Sequence, residues 1–135
     1  AIGSQCGKLL CPLPGLHQKC GIQRDIQHVA GQHAACNILA IMSFTLNRVY
    51  TEWYRNKGYN FTITTSTAYD QKFVYGRNIF QSISDVVEEM FQNYLSRPNV
   101  RQPILTQYCD GQRVTCSNWL SQWGSKYLGD QTTKR

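Results

Sequence analysis

The pattern of the chain changes abruptly at Asn37, and that break limits what can fold. Before it, Gly3, Gly7, Pro12, Pro14, Gly15, Gly21 and Gly31 interrupt every window, so no helical or strand period survives. After it, Ile38, Leu39, Ile41, Met42, Leu46, Val49, Tyr50 and Trp53 recur at helical spacing. They predict an amphipathic helix over residues 37–54, with Gly58 as a stop. A second helix is expected from Ser82 and Asp85, a capping-box-like start. Its apolar stripe is Ile83, Val86, Val87, Met90, Phe91, Tyr94 and Leu95, and Pro98 ends it. Glu88 and Glu89 fall on its solvent side. Residues 59–66 are β-branched and aromatic and predict a strand; residues 73–75 and 104–108 predict two more. The expected fold is α+β, with two amphipathic helices packed on a small β-sheet. Residues 1–36 form an irregular segment, 37–130 the domain and 131–135 a frayed polar tail.

A chain of 135 residues suits one domain with a sizeable core. Hydrophobic content of 41% against 16% charged residues is that of a globular protein. The formal net charge of +6 favours an anionic partner: nucleic acid, a membrane surface or an acidic wall polymer. No run of five Lys and Arg occurs, which weighs against a nucleic-acid tail. No apolar run is long enough to cross a bilayer, and the first residues lack the order of a secretory signal peptide.

The six cysteines fall into two groups. Cys6, Cys11, Cys20 and Cys36 crowd the irregular segment; Cys109 and Cys116 stand apart. All six paired would make a small disulfide-stapled secreted fold. The spacings Cys6 to Cys11 and His28 to His33 invite zinc, but their order matches no finger pattern, and a poorly ordered segment is the better reading. Cys109 and Cys116 would supply two zinc ligands, yet no nearby His or third Cys completes a tetrahedral set. Free thiols or one disulfide suit them better, and no other cofactor is expected.

Those last two cysteines bracket Asp110-Gly111, a strong turn signal. Trp119 and Trp123 follow, four apart, and would share a face if helical. Aromatic rings beside side-chain amides suit an uncharged polar polymer such as a glycan. They suit an ordinary core equally well.

Three ordered segments carry a resemblance. They are Asn37-Ile38-Leu39-Ala40 leading into Phe44-Thr45-Leu46, then Ser66-Thr67-Ala68-Tyr69-Asp70-Gln71 with Val74-Tyr75-Gly76, and last Leu120-Ser121-Gln122-Trp123-Gly124-Ser125. Together they resemble the family of stage II sporulation protein D and the LytB amidase enhancer, whose last motif is M-S-Q-Y/W-G-A. The resemblance covers roughly the last three quarters of the chain. It implies bacterial peptidoglycan remodelling in the cell wall or another extracytoplasmic place, with lytic transglycosylase activity in the sporulation members. It also implies glycan contacts from Tyr69, Gln71, Tyr75, Gln122 and Trp123.

Two departures qualify that implication. Cys116 stands where the family has the His of G-H-G-V-G, and the zinc site that some relatives build from a His and two Cys lacks its His here. The family's proposed catalytic glutamate, in an S-E-x-Y-P-x-W-P-like motif before the first helix, has no match in residues 1–36. A one-base offset supplies a reason. Residues 23–30 can be encoded so that the shifted frame reads S-E-I-Y-N-T-W-P, and dropping a base at Cys36 restores the frame at Asn37.

Transglycosylation needs a carboxylic acid of raised pKa to protonate the glycosidic oxygen and then, as carboxylate, to take a proton from the sugar's primary hydroxyl. The carboxylates present are Asp25, Glu52, Asp70, Asp85, Glu88, Glu89, Asp110 and Asp130, and none carries the motif. The chain is therefore expected to hold glycan strands without cleaving them. The alternative is a basic, non-enzymatic module for an anionic partner such as nucleic acid. The coding DNA across residues 13–37 tests the offset: codons compatible with the shifted frame are expected, and incompatible ones remove it.

Overall fold

The computed structural model describes residues 32–76 and 78–132. The irregular reading of residues 1–31, Cys6, Cys11 and His28 of the zinc pairs, Asp25 and the offset motif lie outside the described residues, as do positions 133–135 of the tail.

Helix α1 (Gln32–Tyr50) is rich in Ala, Leu and Ile and contains neither Gly nor Pro. It includes residues 32–36, so the break in sequence pattern at Asn37 falls inside a helix, and Ala35 and Cys36 are core residues. Its buried face is Ala35 and Cys36, Leu39 and Ala40, Ser43 and Phe44, then Asn47 and Arg48, two adjacent rows repeating every four residues. The expected apolar stripe is only partly the inward one. Ile38 and Leu39 are buried, whereas Ile41, Leu46, Val49, Tyr50 and Trp53 are exposed.

Polar residues replace them inside because each finds a partner. Ser43 Oγ donates to Leu39 O (2.7 Å) and accepts the Leu95 N–H (2.8 Å). Asn47 Nδ2 donates to Pro103 O at 2.7 Å. Thr106 Oγ1, fully enclosed, donates to Ala40 O.

The helix stops four residues earlier than expected. Trp53 N–H bonds Arg48 O and Glu52 N–H bonds Val49 O, the paired bonds of a Schellman end, with Glu52 left-handed at φ 46°. Glycine usually fills that position, so its absence hides the stop. A short 3₁₀ turn (Arg55–Lys57) follows, closed by Gly58 at φ 86°.

Helix α2 (Gln81–Met90) buries Val86 and Met90 against α1 and begins at Phe80 without a side-chain cap. Asp85 instead accepts Gln81 Nε2 at 2.8 Å, so the expected capping box does not form. The helix ends before Phe91 and Tyr94, which are exposed, and Leu95 enters the core from a loop. Glu88 and Glu89 are exposed as expected.

The sheet is small: β1 (Tyr108–Cys109) runs parallel to β2 (Leu120–Ser121), pairing Tyr108 with Leu120 and Cys109 with Ser121. Residues 59–66 and 73–75 form no strand, and of residues 104–108 only Tyr108 does. A third helix, α3 (Gln122–Thr132), starts on Ser121, whose Oγ accepts the Gly124 N–H at 3.0 Å. The class is α+β, with α1 packed between α2 and α3 and the two-stranded sheet at the start of α3.

Residues 59–66 are claimed by a buried carboxylate rather than a ladder. Asp70, 2% exposed, accepts Arg48 Nε (2.8 Å), Tyr54 OH (2.6 Å), Thr64 N–H (2.9 Å) and Thr64 Oγ1 (2.8 Å). Tyr59 and Phe61 cluster on Tyr54, and the Arg48 guanidinium lies about 5 Å from the Phe44 and Trp53 rings. Burial alone would raise the Asp70 carboxyl; the bonds from Tyr54, Thr64 and Arg48 outweigh it and hold it below its ordinary 3.8. Burial, then the bond to Asp70, raises the Tyr54 phenol above 10.0.

Arg48→Ala, which strands a buried carboxylate, is expected to lose about 3–5 kcal/mol in urea unfolding. The Arg48→Ala/Asp70→Asn pair should lose less than the sum of its singles. The depressed Asp70 makes its contribution present above pH 3.8 and lost as pH falls toward the folded-state value. The raised Tyr54 makes its own contribution present below pH 10.0 and lost above it. Unfolding curves across pH should show both losses, and Asp70→Asn should lack the acid one.

Candidate functional site

A cavity of about 350 Å³ opens where the first half of α1 meets the residues after Asp70 and the β2–α3 junction. Asn37, Ala40 and Ile41 line it from α1, Thr67, Gln71 and Lys72 from the loop, and Tyr108, Leu120 and Gln122 from the sheet side. Its walls are held by the packing already described. Tyr108 OH donates to the Asp70 backbone carbonyl at 2.9 Å, tying β1 to the residue before Gln71. Asn37 Nδ2 donates to Ser125 Oγ (2.7 Å), and that hydroxyl donates to Gln122 O (2.7 Å), tying α1 to the first turn of α3. Burial, then the Asp70 charge, raises the Tyr108 phenol, so it stays protonated and a donor.

Gln71 Nε2 is buried and has no hydrogen-bond partner, the one such side-chain nitrogen or oxygen among the described residues. An unmet buried donor costs about 1–3 kcal/mol, so the position calls for an explanation. The cavity thus sets two glutamines beside hydroxyls and an apolar wall of Ala40, Ile41 and Leu120, with Lys72 as its one charged lining residue. Such a surface can bond the hydroxyls and amides of an uncharged polar ligand.

Of the five residues expected to touch glycan, the structure brings Gln71 and Gln122 together here. Tyr69, Tyr75 and Trp123 do not line the cavity; Tyr75 is 91% exposed, in a loop. Trp119 precedes β2 and Trp123 lies in α3, so the two do not share one helix face. Sequence reasoning missed Asn37, Thr67, Lys72 and Tyr108. An amide at position 37, one turn before Ala40 and Ile41 and beside the apolar run from Ile38 to Met42, was the available signal.

No carboxylate lines the cavity among the described residues. Asp70 adjoins Gln71 in sequence, but its carboxylate is saturated by four bonds and its pKa is lowered, the opposite of what a proton donor needs. Glu52, Asp85, Glu88 and Glu89 are exposed; Asp110 Oδ2 accepts the Arg113 N–H, and Asp130 pairs with Lys126 at 2.7 Å.

Cys109 and Cys116 are joined in a disulfide, Cα to Cα 5.9 Å, which corrects their candidacy as zinc ligands: neither thiolate is left to bind. The described residues contain no group of three or more His, Cys, Asp and Glu able to hold a metal, and no helix among them is long and apolar enough to cross a membrane. The disulfide closes the Asp110-Gly111 turn. Gly111 sits at φ 80°, and a Cβ there would collide with Ser121 Oγ, the cap of α3.

Comparison with protein-family models, curated proteins and solved structures finds no match to the chain.

Replacing both cysteines by alanine frees the loop they close, seven residues apart. Loop-closure entropy sets the expected loss at about 2–3 kcal/mol. Urea unfolding of the double variant checks it, and a lower unfolding free energy than that of the wild-type chain is the expected outcome.

Proposed function

We propose that this chain is a glycan-binding domain of the bacterial cell wall, of the stage II sporulation protein D and LytB type, that holds peptidoglycan strands without cleaving them. The observation that carries the reading is the cavity in which Gln71 and Gln122, one with an unmet amide, meet Thr67 and Tyr108 over an apolar floor. Sugar hydroxyls offer the acceptors that the Gln71 amide lacks, and the apolar wall suits the C–H face of a pyranose ring. Both glutamines belong to the segments that resemble the family. The absence of a lining carboxylate among the described residues supports binding rather than cleavage. Wall glycan also places the protein outside the cytoplasm and gives its net charge of +6 an acidic polymer to meet.

Co-sedimentation with purified peptidoglycan tests the reading. The wild-type chain is expected to pellet and to release no anhydro-sugar products, and Gln71→Ala/Gln122→Ala is expected to weaken pelleting about tenfold, as the loss of two ligand hydrogen bonds requires. Equal pelleting by the double variant, or tight DNA retention that collapses with salt, would overturn it in favour of a basic module for nucleic acid.

A further inference from the structure

A second cavity, about 460 Å³, lies between the 97–107 loop and the Asn118-Trp119 corner and shares no lining residue with the first. Arg97 is its one charged lining residue, and the guanidinium has no ion pair or hydrogen bond among the described residues. Trp119 stands on the wall 45% exposed, a large ring left in water. Gln102, Gln107 and Asn118 surround it with primary amides. We infer that this cavity binds a sugar ring that carries a carboxylate.

The walls are built before any ligand arrives. Pro103 is held by Asn47 Nδ2 at 2.7 Å and by its bridge to Ser96; the Gln107 carbonyl accepts the Leu120 N–H at 2.9 Å. Val100 N–H closes the turn on Arg97 O at 3.1 Å. Asn118 sits left-handed at φ 67°, a conformation that Asn tolerates, immediately before Trp119. These bonds fix the backbone that carries Trp119 and the amides, and an indole ring has few rotamers to lose on binding.

Each group selects part of the ligand. An unpaired guanidinium takes a carboxylate through two parallel N–H bonds. The indole face covers the apolar face of a pyranose, and its N–H remains a donor. Amides supply a donor and an acceptor together, which matches neighbouring hydroxyls. A bare anion would leave Trp119 and the amides unused; a neutral sugar would leave Arg97 unused. The inference does not depend on the glutamine-lined cavity.

The test is titration of the whole chain with N-acetylmuramic acid, with N-acetylglucosamine, which lacks its carboxylate, and with lactate, which lacks its ring. The readout is the Trp119 indole N–H resonance, assigned by its loss in Trp119→Phe. The acidic sugar is expected to bind about tenfold tighter than either fragment, the gain a charge-assisted pair supplies. Arg97→Gln should reduce it to the level of the neutral sugar, Arg97→Lys should fall between, and Gln71→Ala/Gln122→Ala should change nothing. Arg97 is exposed, so its variants should keep the wild-type circular dichroism. Equal binding of the acidic and neutral sugars, indifference to Arg97→Gln, lactate binding as tightly as the sugar acid, or no shift at tens of millimolar ligand would each overturn the inference. None of these outcomes touches the peptidoglycan assay with the Gln71 and Gln122 variants, which stands or fails separately.

Discussion

The Arg48–Asp70 pair is the contact on which the remaining architecture hangs. A carboxylate 2% exposed is tolerable only when its lone pairs are filled, and Arg48, Tyr54 and both donors of Thr64 fill them. Each bond recruits a different part of the chain: α1, the turn after it, and the segment that would otherwise make a strand. Thr64 spends its backbone N–H on Asp70, so residues 59–66 wrap the carboxylate rather than join a sheet. The fold around the pair is therefore a loop-rich shell held by side-chain bonds, with two short strands among the described residues.

The same anchor sets up the first cavity. Asp70 offers its backbone carbonyl to Tyr108 OH, so the residue that closes the core also aligns Gln71 against β1. On the opposite wall, Asn37, Ser125 and Gln122 form a chain of bonds between α1 and α3. The glutamines that line the cavity thus sit on backbone already held by these bonds. The Gln71 amide, buried and unmet, is the point at which this framework stops satisfying itself.

The two cavities differ in chemistry as well as place. One is lined by two glutamines and two hydroxyls with a lysine among them; the other by an arginine and a half-exposed tryptophan among amides. Neither contains a carboxylate among the described residues, and the one deeply buried carboxylate is held ionised by its partners. Among the described residues the two cavities thus offer amides, hydroxyls and cationic groups as their hydrogen-bonding walls.

Residue type and spacing alone determined the α+β class, the existence of α1 and α2 and the Asp110-Gly111 turn, because helical periodicity and turn chemistry are local properties. Tertiary structure alone decided which face of α1 is buried. Ser43, Asn47 and Arg48 look outward to any hydropathy argument, and they turn inward because Leu95, Pro103 and Asp70 arrive from 52, 56 and 22 residues away to bond them. It also decided that residues 59–66 and 73–75 form no strand, since a strand exists only where a partner edge is offered. The end of α1 was hidden for a local reason, a glutamate in the left-handed position that glycine normally marks. Composition reports what a side chain prefers in water; only the folded chain supplies the distant donor or acceptor that makes burying it cheaper than leaving it out.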